Sequence, residues 1–431
     1  MPIRHRISLP SLALLLLLVP PANAQGPAPV DLGKRIARSK YQLGRIYSVQ
    51  ELPDGRVVAS DIKEAAFRLL DLTRGTDELI GKQGDSTDQY RVARDVLPLP
   101  GDSLMLYDPA GRKALHLGPD GTVAGMVPLP MPAGVRSILP TASDLSGHLY
   151  YSVQEIDTVA RIMKPTAILR RYAPANGAVE DVTQFHTRRA DQLQAKGLLV
   201  FPFRDAWAVR RDGLVARVAA DTYQVIWLRD GHETGRTGPL PYTPIAISPA
   251  EQQAIADSIH QGMKGMMSGT AIAGQPNRAI GDGGGGTRVQ VLTGDGVRAS
   301  GGAPMIFMGG ADGAAVPAGG APGTPGRGAG APINFNPADI PIAPFPDTRP
   351  AIQSSGLVAA FDPNGTLWVA RERPHGDNIP KYDLIVEGRG IVGQVKLPAN
   401  TRLVGFGKNG VYLAHPDGDA EWLERYALPK R

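Results

Sequence analysis

The chain of 431 residues contains no cysteine, which excludes disulfide bonds, thiolate metal sites and a lipid anchored on cysteine. The chain also has little net charge, because 46 basic and 41 acidic residues give a formal value of +5. No basic cluster with interleaved aromatic residues occurs, so nucleic acid is not an expected partner. Beyond the first 24 residues no apolar run reaches the length that spans a membrane. We therefore expect the hydrophobic core to supply the stability.

The first 24 residues have the three parts of a secretory signal. Arg4–Arg6 is a positively charged start, Leu12–Val19 is an apolar run too short to cross a bilayer, and Ala22–Ala24 is a small-residue cleavage motif. We therefore expect an exported protein, either periplasmic or secreted. Removal of the segment leaves 44 basic and 41 acidic residues, a formal charge of +3.

A turn phrase returns along the chain at a nearly constant interval. Gly55, Gly101 and Gly147 follow one another at intervals of 46 residues, and Gly365 and Gly410 are 45 residues apart. Each glycine belongs to a turn that leads into a β-rich run. A unit of turns and strands repeated every ~40–50 residues is typical of β-propeller blades.

The repeats predict an all-β fold, a six-bladed β-propeller with four strands in each blade. The last repeat contains only three strands, and an open sheet edge is a feature that proteins avoid. Residues 30–39 have no partner of their own, so we predict that they supply the missing strand and close the ring. A seventh blade within the insertion described next stays open at this point.

An insertion separates the fourth repeat from the fifth. Ser248–Glu251 is a capping box with proline at the first helical position, which predicts a helix over residues 249–263. Residues 264–335 are rich in glycine and poor in large apolar side chains, which predicts disorder. The predicted organisation is a signal peptide (1–24), the closing strand with blades 1–4 (25–245), the insertion with its proline-rich final link (246–350), and blades 5 and 6 (351–431).

Two stretches carry a resemblance to a known group. Leu52–Gly55 reads Leu-Pro-Asp-Gly, and Ile80–Tyr90 reads Ile-Gly-Lys-Gln-Gly-Asp-Ser-Thr-Asp-Gln-Tyr. Both resemble the six-bladed β-propeller proteins of the NHL-like group, of the exported bacterial type, in which the link reads Ile-Gly-x-x-Gly-x-Gly-Pro-Gly-Glu-Phe. Ser86–Asp88 replaces the Gly-Pro-Gly core of that link. The resemblance covers residues 41–245 and 355–431 and implies the fold. Members of the group bind proteins, nucleic acid or sugars, and a few relatives are enzymes, so the resemblance implies no single function.

Polar residues at the ends of the second strands form the candidate site. They are Asp61, Asp108, Glu155, Asp221, Glu372 and His415. In a propeller these strand ends point to one face, around the mouth of the channel. Carboxylates in such a ring can hold a cation or gather a basic ligand. The structural alternative is that each acid accepts hydrogen bonds from its own turn.

Three functions follow from these observations. The first is an exported propeller that binds a ligand or partner on one face without catalysis, for which no cofactor and no catalytic residue are predicted. Its partner would be an envelope or extracellular protein, a peptide or a glycan, and we expect a monomer. The second is a metal-dependent hydrolase or lyase, with calcium or zinc held by the five carboxylates and His415 as base. The third is a structural envelope protein whose glycine-rich tract is the interaction element.

Overall fold

The computed structural model describes residues 28–86, 88–127, 129, 139–157, 162–193, 195, 197–267, 341–408 and 410–430. The predicted signal peptide and the glycine-rich tract from residue 268 onward lie outside the described residues. No described helix is both long and apolar enough to cross a membrane.

Most of the described chain consists of short antiparallel strands. The first two are β1 (Pro29–Asp31) and β2 (Arg35–Arg38). Blade 1 contains β3 (Ile46–Glu51), β4 (Val57–Asp61), β5 (Ala66–Asp71) and β6 (Thr76–Ile80). A small parallel pair, β7 (Lys82–Gln83) and β8 (Gln89–Tyr90), leads into blade 2, which contains β9 (Asp95–Pro98), β10 (Leu104–Asp108), β11 (Lys113–Leu117) and β12 (Val123–Val127). Blade 3 contains β13 (Ala142–Ser143), β14 (Leu149–Asp157), β15 (Ile162–Ala173) and β16 (Ala178–His186).

The remaining blades follow the same order from the inner to the outer strand. Blade 4 contains β17 (Ala206–Val209), β18 (Val215–Ala219), β19 (Gln224–Arg229) and β20 (His232–Arg236). The helix α1 (Pro249–Met267) precedes blade 5, which contains β21 (Ala359–Phe361), β22 (Leu367–Ala370), β23 (Lys381–Val386) and β24 (Gly390–Lys396). Blade 6 contains β25 (Arg402–Gly407), β26 (Gly410–Asp417) and β27 (Ala420–Ala427). The prediction of a six-bladed propeller is confirmed.

The N-terminal strand β2 closes the ring. It pairs antiparallel with β27, so that Arg35 lies opposite Tyr426, and it is the fourth strand of blade 6. Beneath this pairing the side chain of Glu424 is fully buried and accepts a hydrogen bond of 2.7 Å from Arg35. Arg38 lies 3.6 Å from the same carboxylate. The predicted closing strand is therefore confirmed, although it is shorter than residues 30–39.

β1 has a role that the sequence did not predict. It pairs in parallel with β24 and adds a fifth strand to the outside of blade 5. The missing side chain of Gly393 makes room for this strand, because a Cβ there would lie 2.5 Å from Val30. The two blades that end the chain are thus both completed by its beginning.

Hydrophobic contacts between adjacent blades form the core. All five residues of β4 and of β10 are buried, because a central strand of a blade is covered on both faces by its neighbours. Trp227 and Trp368 are fully buried, as expected for blade core. Ile255 and Ile259, one turn apart on α1, are buried against the segment Leu198–Phe201 that leads into blade 4. The helix is therefore attached to the propeller and extends to Met267, four residues beyond its predicted end.

Candidate functional site

One end of the ring is defined by the direction of the inner strands. Adjacent inner strands run parallel: Val96 N donates to Ser48 Oγ at 3.3 Å, and Ser143 Oγ donates to Pro98 O. Arg402 Nη2 also donates to Ile46 O at 2.8 Å and joins blade 6 to blade 1. All inner strands therefore begin at the same end of the ring, which we call the start face.

The predicted site residues lie on this start face, since each second strand runs antiparallel to its inner strand. Ile46, at the beginning of β3, pairs with Asp61 at the end of β4. Both carboxylate oxygens of Asp61 are occupied by the backbone amides of Gly44, Arg45, Lys63 and Glu64, at 2.6 to 3.1 Å. Asp108 accepts equivalent bonds from the amides of Arg91, Val92, Ala110 and Gly111, at 2.8 to 3.1 Å. Each of these two buried acids therefore links the segment before the inner strand of its blade to the turn after the second strand.

Glu155 and Asp221 are bound in other ways. Glu155 accepts bonds of 2.6 Å from Thr166 Oγ1 and Gln184 Nε2, and the bond from Thr166 is the largest cause of its lowered pKa. Asp221 is exposed and accepts a bond of 2.7 Å from the amide of Thr222. Neither acid contacts another predicted site residue.

Glu372 and His415 have charged partners. Glu372 accepts a bond of 3.0 Å from Arg349 Nη1, and burial raises the pKa of this glutamate. His415 Nδ1 lies 3.5 Å from Glu424 beneath the closing strand. Among the described residues, no three histidine, aspartate or glutamate side chains are grouped as a metal ion would require. The six predicted residues share a face, but the structure does not bring them together.

Sequence reasoning missed the basic residues of the same face. Three inner strands begin at an arginine or directly after one, namely Arg45, Arg94 and Arg402, and Arg204 lies two residues before β17. Each arginine occurs seven to ten residues before the turn glycine of its blade. This similar place in each repeat is the signal in the sequence that could have found them.

Three of these arginines have acidic neighbours. Arg45 and Arg402 share the buried carboxylate of Glu421, at 3.6 Å and 2.8 Å. Arg94 is buried and lies 3.2 Å from Asp95. These three guanidinium groups are neutralised within the propeller and serve the packing of adjacent blades.

Arg204, and also Arg188 after blade 3, differ from these three arginines in their charge environment. Within the described part of the chain neither guanidinium is paired with an acidic side chain. Burial lowers the pKa of both arginines and is the only cause of the two shifts. Both side chains nevertheless keep part of their surface exposed.

The two arginines lie on adjoining segments. The amide of His186 donates to Asp205 Oδ2 at 3.0 Å, and the amide of Asp205 donates to His186 O at 2.8 Å. Arg188 therefore follows one strand of this contact and Arg204 precedes the other. Burial raises the pKa of Asp205, whose second oxygen accepts a bond from the amide of Ala220.

The segment of Arg188 also contacts a long hairpin of blade 3, formed by β14 and β15. β14 and β15 have 9 and 12 residues, whereas the corresponding strands of blade 1 have 5 and 6. The amides of Thr187 and Arg188 both donate to Pro165 O on this hairpin, at 2.7 Å and 3.3 Å. Arg188 is thereby fixed against the blade 3 hairpin.

The helix α1 is attached to the segment that leads to Arg204. Arg349 contacts the carboxylate of Glu251 on the helix, pairs with Glu372 at 3.0 Å, and lies 4.4 Å from the ring centre of Phe201. Phe201 precedes Arg204 by three residues. The segment of Arg188 thus contacts the blade 3 hairpin, and the segment of Arg204 contacts the α1 attachment.

No protein-family model and no curated protein matches the chain. Solved structures similar to it include a gluconolactonase from Xanthomonas campestris, with a TM-score of 0.40, 9% identity, and coverage of 94% of this chain and 99% of that one. The calcium-binding protein regucalcin from Agrobacterium tumefaciens has a TM-score of 0.37 and 10% identity, covering 94% and 97%. Virginiamycin B lyase from Staphylococcus aureus has a TM-score of 0.37 and 8% identity, covering 92% and 98%. These values are too low to transfer an activity, a metal or a substrate to this chain.

Proposed function

We propose that this chain is an exported propeller that binds a small anionic ligand on the start face, through Arg188 and Arg204. The observation that carries the proposal is the state of these two side chains: desolvated, partly accessible, and without an acidic partner among the described residues. Export rests on the predicted signal peptide.

The physical argument concerns the cost of an uncompensated charge. Removing a cation from water costs free energy unless an opposite charge or hydrogen bonds replace the lost hydration. Elsewhere on the start face the chain supplies that compensation, with Glu421 for two arginines and two glutamates for Arg349. A carboxylate or phosphate group would supply it to Arg188 and Arg204, because guanidinium groups bind such oxyanions in a bidentate way.

The experiment is a titration of the protein with small anions at low ionic strength. Succinate binding, measured by isothermal titration calorimetry, should be saturable in the wild type and at least about tenfold weaker in Arg204→Gln, the loss expected for a charge-assisted hydrogen bond. Arg389→Gln is the matched control, because Arg389 is exposed at the turn between β23 and β24. Equal binding by both variants, or no binding by the wild type to succinate, acetate or methyl phosphate, would contradict the proposal.

The metal-dependent hydrolase or lyase is the alternative that the sequence left open. It would require Asp61 and Asp108 to exchange their backbone amide partners for a cation. Elemental analysis of protein purified without chelator tests it directly. About one equivalent of calcium or zinc would favour the alternative over the anion binder.

A further inference from the structure

Two arginines of the closing strand β2 lie beside one carboxylate. Arg35 Nη1 donates to Glu424 Oε1 at 2.7 Å, and Arg38 Nε lies 3.6 Å from the same oxygen. The other oxygen of Glu424 accepts a bond of 2.9 Å from the hydroxyl of Tyr426. The carboxylate is fully buried, whereas the side chains of Arg35 and Arg38 are 50% and 37% exposed. In the described part of the chain, one negative charge therefore faces two partly exposed cations.

A β-bulge places both arginines on the same face of blade 6. Residues three apart in a regular strand point to opposite faces, because side chains alternate along a strand. The pairing of β2 with β27 skips Ile36, and Arg35 lies opposite Tyr426. Arg38 then lies opposite Glu424, which is two residues from Tyr426 and shares its face. Bulges re-aim side chains in this way, often next to a functional site.

The guanidinium of Arg38 is also held by an aromatic ring. It lies 4.0 Å from the ring centre of Trp422, whose indole N–H donates to Asp417 at 2.9 Å. A guanidinium stacked on a ring keeps the N–H groups at its edge for an oxygen acceptor. The cation is therefore held in place before a ligand arrives, which lowers the entropy cost of binding.

The outer edge of β2 is open. It is the last strand of blade 6, and no strand among the described residues pairs with its outer side. Ile36, between the two arginines, is 51% exposed. Such an edge offers unpaired backbone N–H and C=O groups to an extended chain. Blade 5 shows this kind of addition in the same molecule, because β1 pairs with the outside of β24.

Charge distinguishes β2 from the other described outer strands. β1 contains Asp31, β6 contains Asp77 and Glu78, and β16 contains Glu180 and Asp181. β12 has no charged residue, and in β20 one glutamate and one arginine cancel. Within this set only β2 carries arginines without an acid. An acidic segment is therefore attracted to β2 and repelled by β6 and β16.

We infer that the open edge of β2 binds an extended acidic segment of a protein partner as an added strand. Arg35 and Arg38 pair with two carboxylates of this segment. Because the bulge gives these arginines the spacing of residues two apart, the partner carries its acids at positions i and i+2, on one face of its strand. This surface is separate from the proposed anion site and does not depend on it.

Three end-blocked peptides, labelled with rhodamine, test the inference on the wild type. They are Thr-Val-Glu-Val-Glu-Val-Thr, its isomer Thr-Val-Val-Glu-Glu-Val-Thr, and Thr-Val-Lys-Val-Lys-Val-Thr. In fluorescence anisotropy at low ionic strength, the first should bind roughly two- to fivefold more tightly than its isomer, which has its glutamates on opposite faces and loses one cross-strand ion pair. The lysine peptide should bind at least about tenfold more weakly, because both pairs become repulsive. Equal affinities of the first peptide and its isomer would overturn the added strand.

Variants of Arg38 leave the hydrogen bond between Arg35 and Glu424 in place. Arg38→Gln should weaken binding of the first peptide roughly two- to fivefold, and Arg38→Lys, which keeps the charge, should weaken it less. Arg74→Gln is the matched control, because Arg74 lies on the turn between β5 and β6 and its side chain is 83% exposed. Equal binding by Arg38→Gln and the control would contradict the inference.

Hydrogen exchange of the wild type locates the peptide and requires no variant to fold. The amides of β2 should exchange more slowly with the first peptide bound, whereas those of the acidic strand β6 should not change. Slower exchange at another outer strand instead, or displacement of the peptide by succinate at constant ionic strength, would overturn the inference. Protection of β2 that rises with protein concentration in the absence of peptide would assign the edge to a second copy of the chain and overturn it as well.

Discussion

Replacing Arg204 by methionine should make the protein more stable in the absence of anions. Methionine retains the apolar stem of the side chain and removes a charge that is desolvated and has no acidic partner among the described residues. An uncompensated buried charge costs several kcal/mol, but Arg204 keeps part of its surface exposed. We therefore expect Arg204→Met to raise the free energy of unfolding by about 1 to 2 kcal/mol.

The same change should remove the stabilisation by ligand. A ligand at about a hundred times its Kd adds ~2.7 kcal/mol to the stability of a protein that binds it only when folded. Succinate should therefore stabilise the wild type and leave Arg204→Met unaffected. The order of the two proteins then reverses, with the variant more stable without succinate and the wild type more stable with it.

Differential scanning calorimetry in a buffer of low chloride content measures both effects. A change of 1 kcal/mol shifts the Tm by roughly 2 to 4 °C in domains of 150 to 250 residues, and by less in longer chains. Arg389→Met, on an exposed turn, should stay within about 0.5 kcal/mol of the wild type under both conditions. Loss of stability in Arg204→Met without succinate, or an equal response of variant and wild type to succinate, would refute the reasoning.

Three other predictions concern stability. Glu424→Gln should destabilise the protein by about 3 kcal/mol in urea unfolding, because the arginines of the closing strand lose a buried carboxylate, whereas exposed Glu78→Gln should have little effect. Burial raises the pKa of Asp205, so the folded protein keeps a proton that the unfolded chain releases. The free energy of unfolding should therefore fall as the pH rises from the unfolded pKa of 3.8 through the folded pKa. Asp205→Asn should flatten this pH dependence, and an unchanged slope would contradict the prediction. Gly405→Ala should cost about 1 to 3 kcal/mol, since its Cβ would lie 2.7 Å from the inner strand of blade 1, whereas Gly238→Ala, with open space around it, should be neutral.

The propeller was predictable from local patterns. Turn glycines spaced 45 or 46 residues apart within blades 1 to 3 and within blades 5 and 6, each before a β-rich run, indicate hairpins from local sequence alone. The partnerless N-terminal segment also predicted β2, because a three-stranded final blade needs a fourth strand. β1 was not predictable, since three residues that pair in parallel on the outside of blade 5 show no pattern of their own.

The candidate site depended on contacts that no local pattern encodes. The sequence predicts that Asp61 and Asp108 end the second strands of their blades, but only the folded chain shows that backbone amides occupy their oxygens. The segments that carry Arg188 and Arg204 belong to different repeats, and the hydrogen bonds of Asp205 and Gln192 join them. The sequence by itself therefore determined the blades and the closing strand, because these follow from short-range turn and strand preferences. The tertiary structure alone decided which charges are compensated, because burial and partners arise only when distant segments pack together.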